Sequence, residues 1–308
     1  MKWPMNFTPK KGVVGIEMLS KGMAMIARGE DGIVSAMHVF DAELAEGESR
    51  EEALTRFVQG NDLSAETCNL VLGRDQYQLL LVEAPDVPDE EIREAMRWRI
   101  KDLISMPLES AVIDLFFLPG DGAKGGKRMV YVVVVEKQKL QGCIELVKDS
   151  GLNLHAIDIG ELALRNVALL KEEGKAGTRG LAIARINKGS GNVSLYRDGN
   201  LYLSRSFQMN YGGGLLDDLP ADNLMLEIQR SLDYYERQMG QRPPAALYIF
   251  GDNVTEDKLT EEILRGLPLS VKYLDLSAEL AVNDDVQQEL LPLCMGALGA
   301  TYRGQLLI

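Results

Sequence analysis

Few side chains in this sequence are spaced for covalent or metal chemistry. The two histidines, His38 and His155, each stand beside apolar residues, which suits packing better than catalysis. Cys68, Cys143 and Cys294 are isolated, odd in number and without CxxC spacing, a pattern of reduced thiols and not of a zinc site. What remains is glycine. Lys188-Gly189-Ser190-Gly191 and Tyr211-Gly212-Gly213-Gly214 either bring backbone amides up to a phosphate or close tight turns, and the turn reading is taken for both. One charge is out of place: Arg99 falls within an apolar stripe, with Trp98 on its flank, so its head needs a partner or must reach water.

The elements that must position these residues form two similar runs. Val13–Met18, Met23–Arg28 and Ile33–Phe40 read as an antiparallel meander, followed by a helix from Arg50 and strands at Asn69–Leu72 and Tyr77–Val82. A helix from Asp89, capped by Asp86 or Asp89, carries Ile92, Ala95, Met96, Ile100, Leu103 and Ile104 on one face and stops at Pro107. Strands follow at Ala111–Leu118, largely buried, and at Arg128–Glu136; a helix at Lys137–Asp149, a strand at Leu154–Ile159 and a helix at Glu161–Glu173 close the half. After the polar linker Gly174–Gly177 the meander recurs at Leu181–Ile186, Asn192–Arg197 and Leu201–Ser206, where Asp198-Gly199 is a strong hairpin signal. Then come a helix at Pro220–Gly240, a strand at Ala246–Gly251, a helix at Thr255–Arg265, a strand at Val271–Leu274 and a helix at Gln288–Tyr302.

Composition sets limits. A chain of 308 residues with 46% hydrophobic content is expected to build two domains. A net charge of −13 argues against nucleic acid or anionic lipid as partners. The longest apolar run, Met129–Val135, is far short of the ~20 residues that span a bilayer. Met1-Lys2-Trp3-Pro4 lacks the apolar stretch of a secretory signal, so a cytoplasmic location is expected.

Three blocks carry a resemblance. Arg97-Trp98 with Ile104 and Pro107-Leu108-Glu109, then LEIQRSLDYYERQMGQ with AALYIFGD, then LCMGALGATYR are similar to the PilM family, the actin-like proteins of type IV pilus assembly, and within it to the form found in mannose-sensitive haemagglutinin (MSHA) pilus systems. The resemblance implies an α/β actin-like (ribonuclease H-like) duplicated fold: a tail at 1–11, a first lobe at 12–174 with an inserted subdomain at about 77–150, a second lobe at 178–287, and a segment at 288–308 that packs back on the first lobe. It also implies a nucleotide cleft, in which Glu17 stands at the usual Asp, Leu19 at the Gly and Ala24 at the Lys. The second phosphate turn falls on Ala182–Ile186 and departs from the pattern, its glycines moving to Gly189 and Gly191; the adenosine loop becomes Gly251-Asp252-Asn253. Residual nucleotide contacts would be Glu17, Ser20, Gly189, Gly191, Glu227, Arg230 and Gly251. Three lost phosphate contacts at about 1.5–3 kcal/mol each weaken affinity by several orders of magnitude. The expectation is therefore a pseudo-ATPase without bound ATP or magnesium. It would sit under the inner membrane and hold the cytoplasmic N-terminal tail of a PilN-like bitopic protein of the pilus assembly platform, with Trp98, Ile104, Pro107 and Leu108 lining the groove. A working ATPase and the actin-like adaptor of type II secretion are the alternatives.

Overall fold

The structure, a computed structural model, describes residues 12–45, 47–122 and 127–305. The tail read at 1–11, with Trp3 and Phe7, and residues 306–308 of the expected C-terminal segment lie outside the described residues.

In chain order the first half contains β1 (Val13–Leu19), β2 (Gly22–Arg28), β3 (Val34–Asp41), α1 (Arg50–Gly60), β4 (Thr67–Leu72), β5 (Tyr77–Glu83), α2 (Asp89–Arg99), β6 (Ala111–Phe117), β7 (Met129–Glu136), α3 (Lys137–Asp149), β8 (Asn153–Ile159) and α4 (Gly160–Leu170). The second contains β9 (Leu181–Asn187), β10 (Ser190–Arg197), β11 (Asn200–Gln208), α5 (Ala221–Asp233), β12 (Ala246–Gly251), α6 (Glu261–Arg265), β13 (Ser270–Tyr273) and α7 (Met295–Thr301). Two five-stranded sheets result, ordered β3-β2-β1-β4-β8 and β11-β10-β9-β12-β13. In each, the first strand of the run is central, antiparallel to the second and parallel to the fourth. The duplication is thus one of topology. A third sheet, β5-β7-β6, is antiparallel throughout.

Local chemistry explains most boundaries. Ser49 and Glu52 form a reciprocal capping box that starts α1. Two-residue turns at Ser20-Lys21 and Lys188-Gly189 join the central hairpins, and Gly189 has φ +75°, which favours glycine there. Several expectations are corrected. Neither Asp86 nor Asp89 caps α2: Pro88 holds that position and makes no side-chain cap. The helix also ends at Arg99, short of Ile104. Turns follow, with Leu103 N–H bonded to Ile100 O at 2.8 Å, so Ile100 and Ile104 still reach the core while Leu103 turns outward. β6 is an edge strand with alternating exposure, since only β7 pairs with it. The helix read at Thr255–Arg265 is a 3-10 turn at Glu256–Lys258 and then α6, for which Thr260 is the cap. The helix read at Gln288–Tyr302 starts as a 3-10 segment containing Pro292, which lacks the N–H an α-helix interior needs, and becomes α7 only at Met295.

The two sheets share helices. α4 follows the first sheet and lies between the two, packing on β4 and β8 as well as on β9, β10 and β11, whereas α7 follows the second sheet and packs on β1, β2 and β4 of the first; the two helices lie against each other. Gly299 makes that approach feasible, because a Cβ there would stand 2.1 Å from Ala163 O on α4. Arg28 then ties down the end of α7, donating to Thr301 O at 2.7 Å and lying 4.0 Å over the Tyr302 ring.

Two further contacts hold the halves together. The segment before the 3-10 turn of residue 288 crosses to the edge of the first sheet, where Val34 N–H donates to Ala281 O and Asn283 N–H to Val34 O. The loop after β6 docks on the second half: the Asp121 carboxylate pairs with Arg197 and accepts from Tyr202 Oη at 2.9 Å, while its carbonyl accepts from Gln241. Burial works against the Asp121 charge, but the bonds from Arg197 and Tyr202 hold its pKa below the ordinary carboxylate value. A depressed folded pKa contributes stability above the unfolded value of ~3.9 that is lost as pH falls through the folded one. Asp121 is more than half exposed, so the contribution is below ~1 kcal/mol. Asp121→Asn is expected to lose that small amount in urea melts at pH ~7, and its difference from the wild type is expected to shrink as pH falls below the ordinary carboxylate range.

Candidate functional site

The two central strands each carry one charge into the interface between the sheets. Glu17, on β1, is 3% exposed, and Arg185, on β9, has a side chain 19% exposed. Their side chains form an ion pair, and Arg185 also lies 5.7 Å from the centre of the Phe250 ring. Burial opposes the guanidinium's charge, but Glu17 more than offsets it and raises the pKa of Arg185 further. α7 covers the pair: a Cβ at Gly296 would lie 2.4 Å from the Glu17 carboxyl group. Glu17 Oε2 is buried without a hydrogen-bond partner among the described residues. The carboxylate that could order the water shell of a metal is therefore neutralised by a cation from the opposite sheet.

The turns around it are bonded among themselves. At the first hairpin, Arg50 at the start of α1 donates to Leu19 O at 2.9 Å and Ser20 O at 3.2 Å, and Lys21 pairs with Glu43. At the second, Gly189 N–H donates to Tyr211 O at 2.8 Å, Gly189 O accepts from Met209 N–H at 3.1 Å, and Lys188 N–H donates to the Asp252 carboxylate at 2.9 Å. Gly191 lies inside β10, paired on both sides, with the Phe207 ring 2.4 Å from where its Cβ would be. Gly251 ends β12 against Ile186 O; next to it Asp252 N–H donates to Ile186 O at 2.8 Å, and Asn253 Nδ2 donates to Gly213 O at 2.7 Å. On α5, Glu227 pairs with Arg230 and lies 3.7 Å from Arg205. Ala182–Ile186, read as the second phosphate turn, is the body of β9, and the turn lies beyond it at Lys188-Gly189.

The residues expected to line a peptide groove divide. Trp98 is 65% exposed at the end of α2 and Leu103 53% exposed one turn on. Pro107 is exposed, whereas Ile104 and Leu108 pack against the unit's own core of Ile92, Met96, Ile100 and Val132. Arg99 is exposed, its head in water, so the apolar stripe is spared a buried charge.

Sequence reasoning missed Arg185, Arg50, Asp121 and Glu161. Glu161, in the first turn of α4, is 3% exposed and accepts from Tyr77 Oη and from Ser204 Oγ at 3.2 Å, with Arg74 Nε 3.9 Å away; its carbonyl accepts from Tyr196 Oη at 2.8 Å. It joins the inserted sheet, the first half and the second half at one carboxylate. For Arg185 a signal existed: an arginine inside the apolar strand Leu181–Ile186 must have a buried partner. The cysteines are buried and free, burial pushing the Cys68 thiol up to about 12, and His155 Nδ1 lies 3.1 Å from Asn69 Oδ1. Among the described residues no group of three His, Cys, Asp or Glu is placed to hold a metal, and no helix is long and apolar enough to cross a membrane.

Paired five-stranded sheets of this strand order, with α4 and α7 packed between them, define the two-lobed actin-like ATPase fold. A chain of the PilM–PilN type IV pilus biogenesis complex shares it with a TM-score of 0.71 and 19% identity, over 96% of this chain and 99% of that one. The cytoplasmic domain of EpsL, an inner-membrane component of the type II secretion system of Vibrio cholerae, aligns at 0.54 and 14% over 96% and 98%. A protein of Bacteroides thetaiotaomicron with an actin-like ATPase fold and unknown function aligns at 0.53 and 13% over 94% and 99%. No protein-family model and no curated sequence matches the chain. At these identities the likeness is one of fold.

Proposed function

We propose that this chain is an actin-like adaptor of type IV pilus assembly, of the MSHA type, that works without nucleotide. It holds the cytoplasmic N-terminal tail of a PilN-like bitopic protein, is peripheral to the inner membrane through that protein, and joins it to the assembly platform. The observation that carries the reading is the spent cleft. Glu17 is neutralised by Arg185, and the amides of Lys188 and Gly189 are bonded internally, so the residues present do not fit a magnesium nucleotide. The full-length likeness to a chain of the PilM–PilN complex supports the pilus assignment, and the exposed Trp98 supports the tail site on the inserted unit. Burying an exposed indole against a partner is a frequent source of binding energy.

Calorimetric titration tests the reading. No heat with MgATP, saturable binding of a synthetic tail peptide, and a loss of tail affinity of ~30-fold in Trp98→Ala, about 2 kcal/mol, are expected. Micromolar binding of MgATP would overturn the nucleotide-independent part; a tail that does not bind would overturn the adaptor. The likeness to EpsL favours a second reading, an adaptor of type II secretion, which would bind a secretion-system tail in place of the pilus one.

A further inference from the structure

The loop between β11 and α5 presents two leucines to solvent on a braced support. Leu215 is 71% and Leu216 93% exposed, although neither belongs to a frayed end. The Asp217 carboxylate accepts from Gly214 N–H at 2.9 Å, Asn253 Nδ2 holds Gly213 O at 2.7 Å, Lys258 Nζ holds Gly214 O at 3.0 Å, and Leu219 is buried just beyond. The backbone is fixed on both sides of the leucines, so little ordering cost remains to be met when they are covered. Exposed Asp218 and Asp222 give the projection an acidic rim.

The same molecule carries a surface of complementary character. Trp98 and Leu103 are exposed at the end of α2, beside the exposed cations Arg99 and Lys101 and one exposed carboxylate, Asp102, so the charge around them is net positive by one. Because both patches are open to solvent, neither covers the other within one copy. We infer that the Leu215–Leu216 projection of one copy docks on the Trp98–Leu103 patch of a second copy, with Asp218 and Asp222 facing Arg99 and Lys101. Such a contact is heterologous: different surfaces meet, and each added copy leaves one projection and one patch free. Two leucines against an indole and a leucine bury far less than the ~800 Å² per partner of a standard interface, so association is weak and needs high local concentration. The inference does not depend on the tail-binding reading, but a tail seated on Trp98 would compete with it.

Sedimentation velocity of the full chain, without any tail peptide, tests this. The weight-average sedimentation coefficient is expected to rise with protein concentration and to fall back when salt is raised. Leu216→Asp and Leu103→Asp, both at exposed positions, are each expected to weaken self-association at least ~10-fold while leaving the melting temperature unchanged. Mixed in equal amounts, the two variants are expected to form a dimer and stop there, since one intact projection meets one intact patch. A wild type that stays monomeric at every concentration, self-association untouched by either substitution, or a mixture that does not pair would each overturn the inference.

Discussion

Arg185→Met is expected to lower the unfolding free energy by about 3–5 kcal/mol, the loss that follows when one member of a buried ion pair is removed. The mechanism lies in what is left behind. Glu17 is 3% exposed, one of its carboxylate oxygens already lacks a partner, and α7 closes over it at Gly296, so water has no easy route to the stranded charge. Glu17→Gln should cost less, because Arg185 is one-fifth exposed and can turn its head towards solvent. The double variant Glu17→Gln/Arg185→Met should recover most of the single Arg185→Met loss, since no unpaired charge remains. Urea denaturation of the four proteins measures the cycle. A single-variant loss below ~1 kcal/mol would show that the pair behaves as a solvated surface bridge.

Gly299→Ala is expected to cost about 3 kcal/mol, at the upper end of overpacking penalties. The new methyl would stand 2.1 Å from the backbone oxygen of Ala163, and neither helix can yield without moving off its sheet. Gly142→Ala provides the control. It lies within α3 with nothing inside 4 Å of the added carbon, so the same substitution should stabilise by about 0.5–1 kcal/mol through helix propensity alone. Thermal melts that move in opposite directions support the packing account; two shifts of the same sign would refute it.

The strands were the most legible part of the sequence, because alternation and turn residues are local signals. Both meanders, the central YVVVV strand and the hairpins at Ser20-Lys21 and Asp198-Gly199 follow from them. Helix ends were less legible. Periodicity continues through Ile100, Leu103 and Ile104 although the chain there turns, and it continues through Pro292 although the α-helix begins only after it. The site divides in the same way. The expectation that Glu17 stands at an Asp position, with Leu19 and Ala24 at the Gly and Lys positions, comes from the resemblance and not from any local pattern in the sequence. The partner of Glu17 cannot be read from either, since Arg185 lies 168 positions away and meets it only through the stacking of two sheets. Glu161 looks like an ordinary acidic first turn until the fold brings Tyr77 and Ser204 to it.

The sharing of helices between the sheets has a consequence for biosynthesis. The face of the first sheet formed by β1, β2 and β4 is covered by α7, which the ribosome makes after every other described element. Domains that fold as independent units can complete themselves one by one as the chain emerges. Here the N-terminal half emerges with Gly15, Glu17 and their apolar neighbours uncovered, and stays so until Met295–Thr301 arrives to lie against them. The packing of that face is therefore completed only by the last described helix, and a nascent chain that stalls before residue 295 is expected to display a sheet face on which chaperones or other nascent chains can settle.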